Sequence, residues 1–152
     1  MNAASARAVA LVAHMGQFTR HGEALSRHLE RVAARVPPEA AVTAWLHDLG
    51  ERGNASVHEL MARGITPTEL AALELLTRTD GEDYGLYIAR IARADGETGW
   101  LARTVKLAEL ADHLERIPAY AAAARPYRSA RDELERAQAK RDRRDEPARP
   151  AR

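Results

Sequence analysis

The chain is 152 residues long and 45% hydrophobic, a size and composition that suit one domain with one core. Its 23 basic and 22 acidic side chains leave a formal net charge of +1, which excludes an overall field favouring nucleic acid or a membrane surface. Because the sequence contains no cysteine, a disulfide scaffold, a thiol nucleophile and a thiolate metal site are excluded as well.

The predicted elements are helices throughout, since apolar residues recur at helical spacing and no stretch alternates as a strand does. Gly and Pro divide the sequence into segments of helical length; Pro37 and Pro38 begin the third helix and Gly50 ends it. We expect an all-α, compact bundle of about seven to eight helices, near 3–19, 23–36, 38–49, 56–63, 67–78, 83–93, 97–116 and 126–143.

The charge changes sign along the chain at Arg125. Residues 1–124, the predicted domain, carry 13 basic and 16 acidic side chains, whereas the remainder carries 10 and 6. Residues 125–144 are predicted to form a charged helix that packs on the domain or extends it, and 145–152 a disordered tail. A nucleic-acid-binding tail and a solvated helix both fit this pattern; we favour the solvated helix and expect no nucleic-acid partner.

The first 15 residues lack the basic-then-apolar layout of a secretory signal peptide. No apolar run approaches the ~18–20 residues needed to span a bilayer. We therefore expect a cytoplasmic protein without a membrane partner. The oligomeric state is left open.

Two of the predicted helices carry side chains that suit a metal. His28 lies within the apolar stripe of the second helix, where it could be either a core residue or a ligand. His47 and Asp48 occupy the last turn of the third helix, where a carboxylate among leucines is costly to bury without a partner. Glu51 follows three residues later and could reach the same space. The pattern indicates a metal site or a hydrogen-bonded one.

The seventh helix offers a third group of polar side chains. Lys106, Glu109 and His113 lie opposite its apolar stripe, and Asp112 lies at the edge of that stripe. Periodicity alone predicts that these side chains form a solvated face.

Four segments occur in an order and spacing typical of one family. They are AHMGQ at 13–17 (followed by Gly22 and by HLERVA at 28–33), WLHDLGE at 45–51, LTR at 76–78 and VKLAE at 105–109. Together they resemble the HD-domain metal-dependent phosphohydrolases, above all the branch that hydrolyses the alarmones guanosine tetra- and pentaphosphate. The patterns of that branch include H-x-G-Q, H-P-x-x-V-A, L-L-H-D-x-x-E, L-T-K and I-K-L-A-D.

The resemblance implies an all-helical domain that holds one divalent metal ion. Its ligands would be His28, His47, Asp48 and, in place of the distal Asp of the family, Glu109; Asp112, one turn further on, is the alternative. Two imidazoles and two carboxylates suit Mn²⁺ best, with Fe²⁺ or Zn²⁺ as alternatives. Asp48 and Glu51 are the expected catalytic residues, and the resemblance gives Glu51 the role of general base.

Substrate recognition follows the family less closely. Arg20, Arg52, Lys106 and His113 are the candidate phosphate-binding residues, but Arg52 replaces an Asp of the family and His113 an Asn. We expect a phosphohydrolase that cleaves a phosphate or pyrophosphate ester of a small nucleotide-like substrate, with guanosine tetraphosphate the first candidate. The alternative is a degenerate, non-catalytic HD module that binds nucleotide, metal or a protein partner. A third interpretation is a helical adaptor that binds partners through its basic last helix.

Overall fold

The computed structural model describes residues 1–53, 55–118 and 120–145, and it confirms the predicted all-α bundle. This part of the chain contains no β-strand, only an isolated bridge between Phe18 and Ala24. A 3₁₀ turn at Pro38–Ala40 precedes α3. The α-helices are α1 Ala3–Ala13, α2 Leu25–Ala33, α3 Ala41–Leu46, α4 Leu49–Arg52, α5 Val57–Ala62, α6 Pro67–Leu76, α7 Tyr84–Arg93, α8 Gly96–Arg116 and α9 Ala124–Asp145.

Local capping explains where two of the helices begin. Ser56 caps α5 and Thr66 caps α6, each in a capping box with the Glu three residues later. In α6 the first helical position is Pro67, as the sequence predicts. The first helix, by contrast, is shorter than predicted and ends at Ala13, because the chain turns through Gly16, whose φ is +74°.

The third predicted helix is divided. His47 and Asp48 form a turn between α3 and α4, and the predicted stop at Gly50 is wrong, since Gly50 lies inside α4. A glycine is needed there for packing: a Cβ atom on residue 50 would lie 1.9 Å from Thr77 Oγ1. The close approach fixes α4 against the end of α6.

Helix α8 lies at the centre of the bundle and packs against α2, α6, α7 and α9. One group of buried apolar residues includes side chains of α6, α7, α8 and α9, and a second includes side chains of α1, α2 and α3. Ala130 and Leu134 of α9 are buried in the first group, so the charged last helix packs on the rest of the bundle. The predicted disordered tail lies outside the described residues from position 146 onward. Among the described helices, none has the length and apolar character that crossing a bilayer requires.

Candidate metal centre

Three of the four predicted ligands meet where α2 passes the turn between α3 and α4. His28 comes from the middle of α2, while His47 and Asp48 form the turn itself. One potential ligand atom from each of the three lies within 4.8 Å of the others. Both imidazoles are buried, with exposures of 4% and 3%, and Asp48 is partly buried. This spacing is compatible with one shared cation.

The hydrogen bonds of His47 fix which of its nitrogens faces the cluster. Its Nδ1 lies 2.8 Å from the carbonyl oxygen of Ala44 and therefore carries the proton. Its Nε2 therefore faces the cluster; it is buried, has no hydrogen-bond partner in the described part of the chain, and lies 3.5 Å from Asp48 Oδ1. In the neutral imidazole this nitrogen carries a lone pair, and a cation between it and the carboxylate oxygen would bind both. The donor set thus fits a metal ion.

His28 is oriented in the same sense by a side chain. Its Nδ1 lies 2.8 Å from Asp112 Oδ2 and donates to that carboxylate, which leaves Nε2 as the nitrogen available to a metal. Burial, and after it the neighbouring His47, lowers the pKa of His28. The neutral imidazole, which is the metal-binding form, is therefore favoured.

Glu109, the fourth predicted ligand, lies in the same cleft but does not join the group of three. Both its carboxylate oxygens accept from Lys106 Nζ at 2.8 Å, and His113 Nε2 lies 3.4 Å away. Although burial favours the protonated acid, the Lys106 ammonium and the hydrogen bond from His113 hold the pKa of Glu109 well below its usual range. Its assignment as a ligand remains a prediction.

The expectation of a solvated face on α8 is wrong. Lys106 is 6% exposed and Asp112 is 1% exposed, while Glu109 and His113 are largely covered. The reason is tertiary: α2 covers one polar strip of α8, and the start of α9 covers the other, where His113 stacks on Tyr127 with ring centroids 5.3 Å apart. Helical periodicity assumes one buried face, and a central helix has more than one.

The predicted general base, Glu51, stands at the rim of the cluster. It lies in α4, three residues after Asp48, and its Oε1 accepts a hydrogen bond from the backbone N–H of Arg78 at 2.9 Å. Glu51 is exposed and lines the cleft that contains His28 and Asp48. The arrangement holds the carboxylate in place through one oxygen.

Two clefts adjoin beside the cluster. The first, with a volume of about 90 Å³, contains His28, Asp48, Arg20, Arg52 and Asp112. The second, of about 340 Å³, contains Lys106 and none of the three donors, and both clefts include Glu51 and His113. All four candidate phosphate-binding residues therefore line one cleft or the other. Arg20 is shared by both.

Sequence reasoning missed an aromatic wall and one cation in the second cleft. The wall is formed by Tyr84, Tyr87 and Tyr127, and the cation is Arg78. Lys106 Nζ lies 4.9 Å from the ring centroid of Tyr87, and Arg20 lies 5.9 Å from that of Tyr127. The three-residue spacing of Tyr84 and Tyr87 on one helix face could have signalled part of this wall. Nothing in the sequence places Tyr127 there.

No protein-family model and no curated protein matches the chain. The resemblance to HD-domain phosphohydrolases therefore remains an expectation drawn from the residues.

Proposed function

We propose that the protein is a metal-dependent phosphohydrolase acting on a phosphorylated, nucleotide-like small molecule. The observation that carries the proposal is the group of His28, His47 and Asp48, in which the buried Nε2 of His47 faces a carboxylate oxygen of Asp48 across 3.5 Å without a hydrogen-bond partner in the described part of the chain. The group opens into a cleft rimmed by cations and by the carboxylate of Glu51.

In this proposal His28, His47 and Asp48 hold one divalent ion, and Glu109 completes the set once it leaves Lys106. The chemistry that such an ion supplies when bound is activation of a water and polarisation of a phosphoryl oxygen. The protein supplies three donors at fixed positions. Because both imidazoles have their Nδ1–H occupied by acceptors, no ring has to rotate for binding.

Glu51 acts as the general base. Its Oε1 is tied to the Arg78 N–H, so the other oxygen is free to accept a proton from the attacking water. Glu51 lies three residues after Asp48 and outside the group of three donors, so its carboxylate would lie beside the phosphoryl group of a bound substrate.

The cations of the two clefts bind the phosphates. Residues 1–124 carry a net charge of −3, so a polyanionic substrate depends on this local positive field. Arg20, Arg52 and Lys106 provide it, together with His113. Tyr84 and Tyr127 are the partly buried rings of the second cleft and offer apolar surface to a base, whereas Tyr87 is buried with Lys106 over its ring. Guanosine tetraphosphate is the first compound to test.

The test combines metal analysis with phosphate release. Purified protein is analysed for bound metal, stripped with chelator, reloaded with Mn²⁺, and assayed on alarmones, nucleoside mono- and diphosphates and a simple phosphodiester. One transition metal per chain and turnover of one substrate class support the proposal. Metal-loaded protein that is inactive on the whole panel contradicts it.

One observation favours the second candidate, a non-catalytic HD module that binds nucleotide or metal. The bidentate pairing of Glu109 with Lys106 neutralises the carboxylate that would complete the ligand set. Nucleotide binding by metal-loaded protein without phosphate release would establish this alternative.

A further inference from the structure

Asp112 is the most deeply buried carboxylate of the cluster region, with 1% exposure. Each of its oxygens receives two hydrogen bonds from charged or ring nitrogens. Oδ2 accepts from His28 Nδ1 at 2.8 Å and from Arg31 Nη2 at 3.1 Å. Oδ1 accepts from Arg31 Nε at 2.7 Å and from Arg116 Nη1 at 2.9 Å.

These four bonds occupy the whole acceptor capacity of the side chain. A carboxylate offers about four lone-pair sites, and each is used here. Asp112 therefore has no oxygen lone pair to offer a metal, although sequence spacing makes it the alternative to Glu109. It contacts the nitrogen of His28 that lies on the far side of the ring from the one available to a metal.

The charge of Asp112 is balanced by a network that reaches beyond α8. Arg31 donates to Asp112 with one edge and to both oxygens of Glu23 with the other, at 2.7 and 2.6 Å. Arg116 also approaches Glu23, at 3.8 Å. Two arginines thus face two carboxylates. Although burial opposes ionisation, the hydrogen bonds from Arg31 and His28 lower the pKa of Asp112 to about 2.

We infer that Asp112 is a positioning residue for the metal centre: held between Arg31 and Arg116, it fixes His28 in the Nδ1–H tautomer and presents Nε2 to the metal. The inference rests on the proposed metal site and goes beyond it by removing Asp112 from the ligands. It assigns to the Glu23–Arg31–Asp112–Arg116 network the task that the backbone carbonyl of Ala44 performs for His47.

The substitution Asp112→Asn separates positioning from ligation. An amide has one acceptor oxygen and one donor nitrogen, so while the two arginines retain the oxygen, the NH₂ group faces His28 Nδ1. The imidazole proton then moves to Nε2, the nitrogen that must be unprotonated to bind metal. Titration of Mn²⁺ into metal-free protein at pH 8 should show affinity weakened about 10–100-fold with one site per chain retained.

Glu97→Gln is the matched control. It removes an exposed carboxylate from the first turn of the same helix, far along α8 from Asp112, and it should leave the Mn²⁺ affinity unchanged within twofold. Folding of each variant is checked by circular dichroism. The imidazole nitrogens of His28 are read directly from ¹⁵N spectra of the metal-free protein, assigned by the signals that disappear in His28→Gln.

The wild type should show Nδ1–H at His28, and Asp112→Asn should show Nε2–H. Wild-type affinity in Asp112→Asn overturns the inference, as does complete loss of the binding site in that variant when folded, which would make Asp112 a ligand. If Asp112→Asn does not fold, the wild-type tautomer decides: Nε2–H overturns the inference and Nδ1–H supports it. Wild-type protein that binds no Mn²⁺ overturns the proposed metal site as well, so the two failures are distinguishable.

Discussion

The two histidines of the candidate metal centre are held in the same tautomer by different acceptors, one in the backbone and one in a side chain. His47 donates to the carbonyl oxygen of Ala44, three residues earlier in its own turn. His28 donates to Asp112, 84 residues further along the chain and itself held by two arginines. We call the first the α3–α4 side (His47, Asp48, Gly50 and Glu51) and the second the α2–α8 side (Arg20, Glu23, His28, Arg31, Asp112 and Arg116).

The difference determines how each side responds to substitution. A backbone acceptor cannot be removed by changing a side chain, so the α3–α4 side should be sensitive only at its own residues and at its packing. The α2–α8 side depends on several separate side chains, because an ion-pair network is weakened when any member is lost and the others stay buried. Loss of one member of that network should therefore weaken metal binding by a graded amount, whereas loss of His47 or Asp48 on the α3–α4 side should be all-or-none for metal binding.

The largest expected effect tests the all-or-none side. His47→Ala removes one of the three donors of the cluster, and no second group of three potential ligands occurs among the described residues, so metal content should fall from about one ion per chain to near zero. Elemental analysis after gel filtration measures it. His58→Ala removes an exposed histidine on α5 and should retain the full content. Stoichiometric metal in His47→Ala would show that the cluster is not the binding site.

The next largest effect distinguishes metal binding from catalysis on the α3–α4 side. Glu51→Gln keeps the shape of the side chain and its hydrogen bond to the Arg78 N–H but cannot take a proton. We expect unchanged metal content and turnover slowed about 10²–10⁴-fold, the range for one acid–base group. Stopped-time phosphate release at saturating substrate measures the rate, with Glu74→Gln on α6 as the control. Full activity in Glu51→Gln would make it a surface carboxylate.

The contrast between local and long-range contacts also explains how much of the site could be predicted from the sequence. The His47–Asp48 pair and its neighbour Glu51 are contiguous, so local spacing was sufficient to single them out. The capping boxes of α5 and α6 are equally local, and both helices begin within one residue of the predicted starts at 56 and 67. In each case the interacting groups lie within one turn of each other.

The contacts that could not be predicted from the sequence are those between segments far apart in the chain. Periodicity placed Asp112 at the edge of a solvated strip, because it does not show that α2 covers that strip. It also gave no reason to place Tyr127 of α9 against His113. The error at Gly50 has the same origin: glycine often ends a helix, but here the close approach of Thr77 requires it inside one.

A smaller effect tests the packing of the α3–α4 side. In Gly50→Ala the new methyl group would lie 1.9 Å from Thr77 Oγ1, so α4 or the end of α6 must shift. We expect the free energy of unfolding to fall by about 1–3 kcal/mol, the usual cost of overpacking, measured by urea denaturation. Thr77→Ala should restore part of that loss when the two are combined. Unchanged stability in Gly50→Ala would mean that α4 is not held by this contact.

The smallest expected effect belongs to the rim of the α2–α8 side. Arg20 is exposed, lines both clefts and lies over the ring of Tyr127 without contacting the group of three donors. If it holds a substrate phosphate equally in the ground state and the transition state, Arg20→Ala should raise KM while leaving kcat nearly unchanged. An exposed ion pair is worth ~0.2–1 kcal/mol, so KM should rise by about 1.4- to fivefold. Arg27→Ala, which changes another arginine and leaves both clefts intact, is the control. A fall in kcat with unchanged KM would instead show that Arg20 stabilises the transition state. The α2–α8 side would then contribute to catalysis as well as to the positioning of His28.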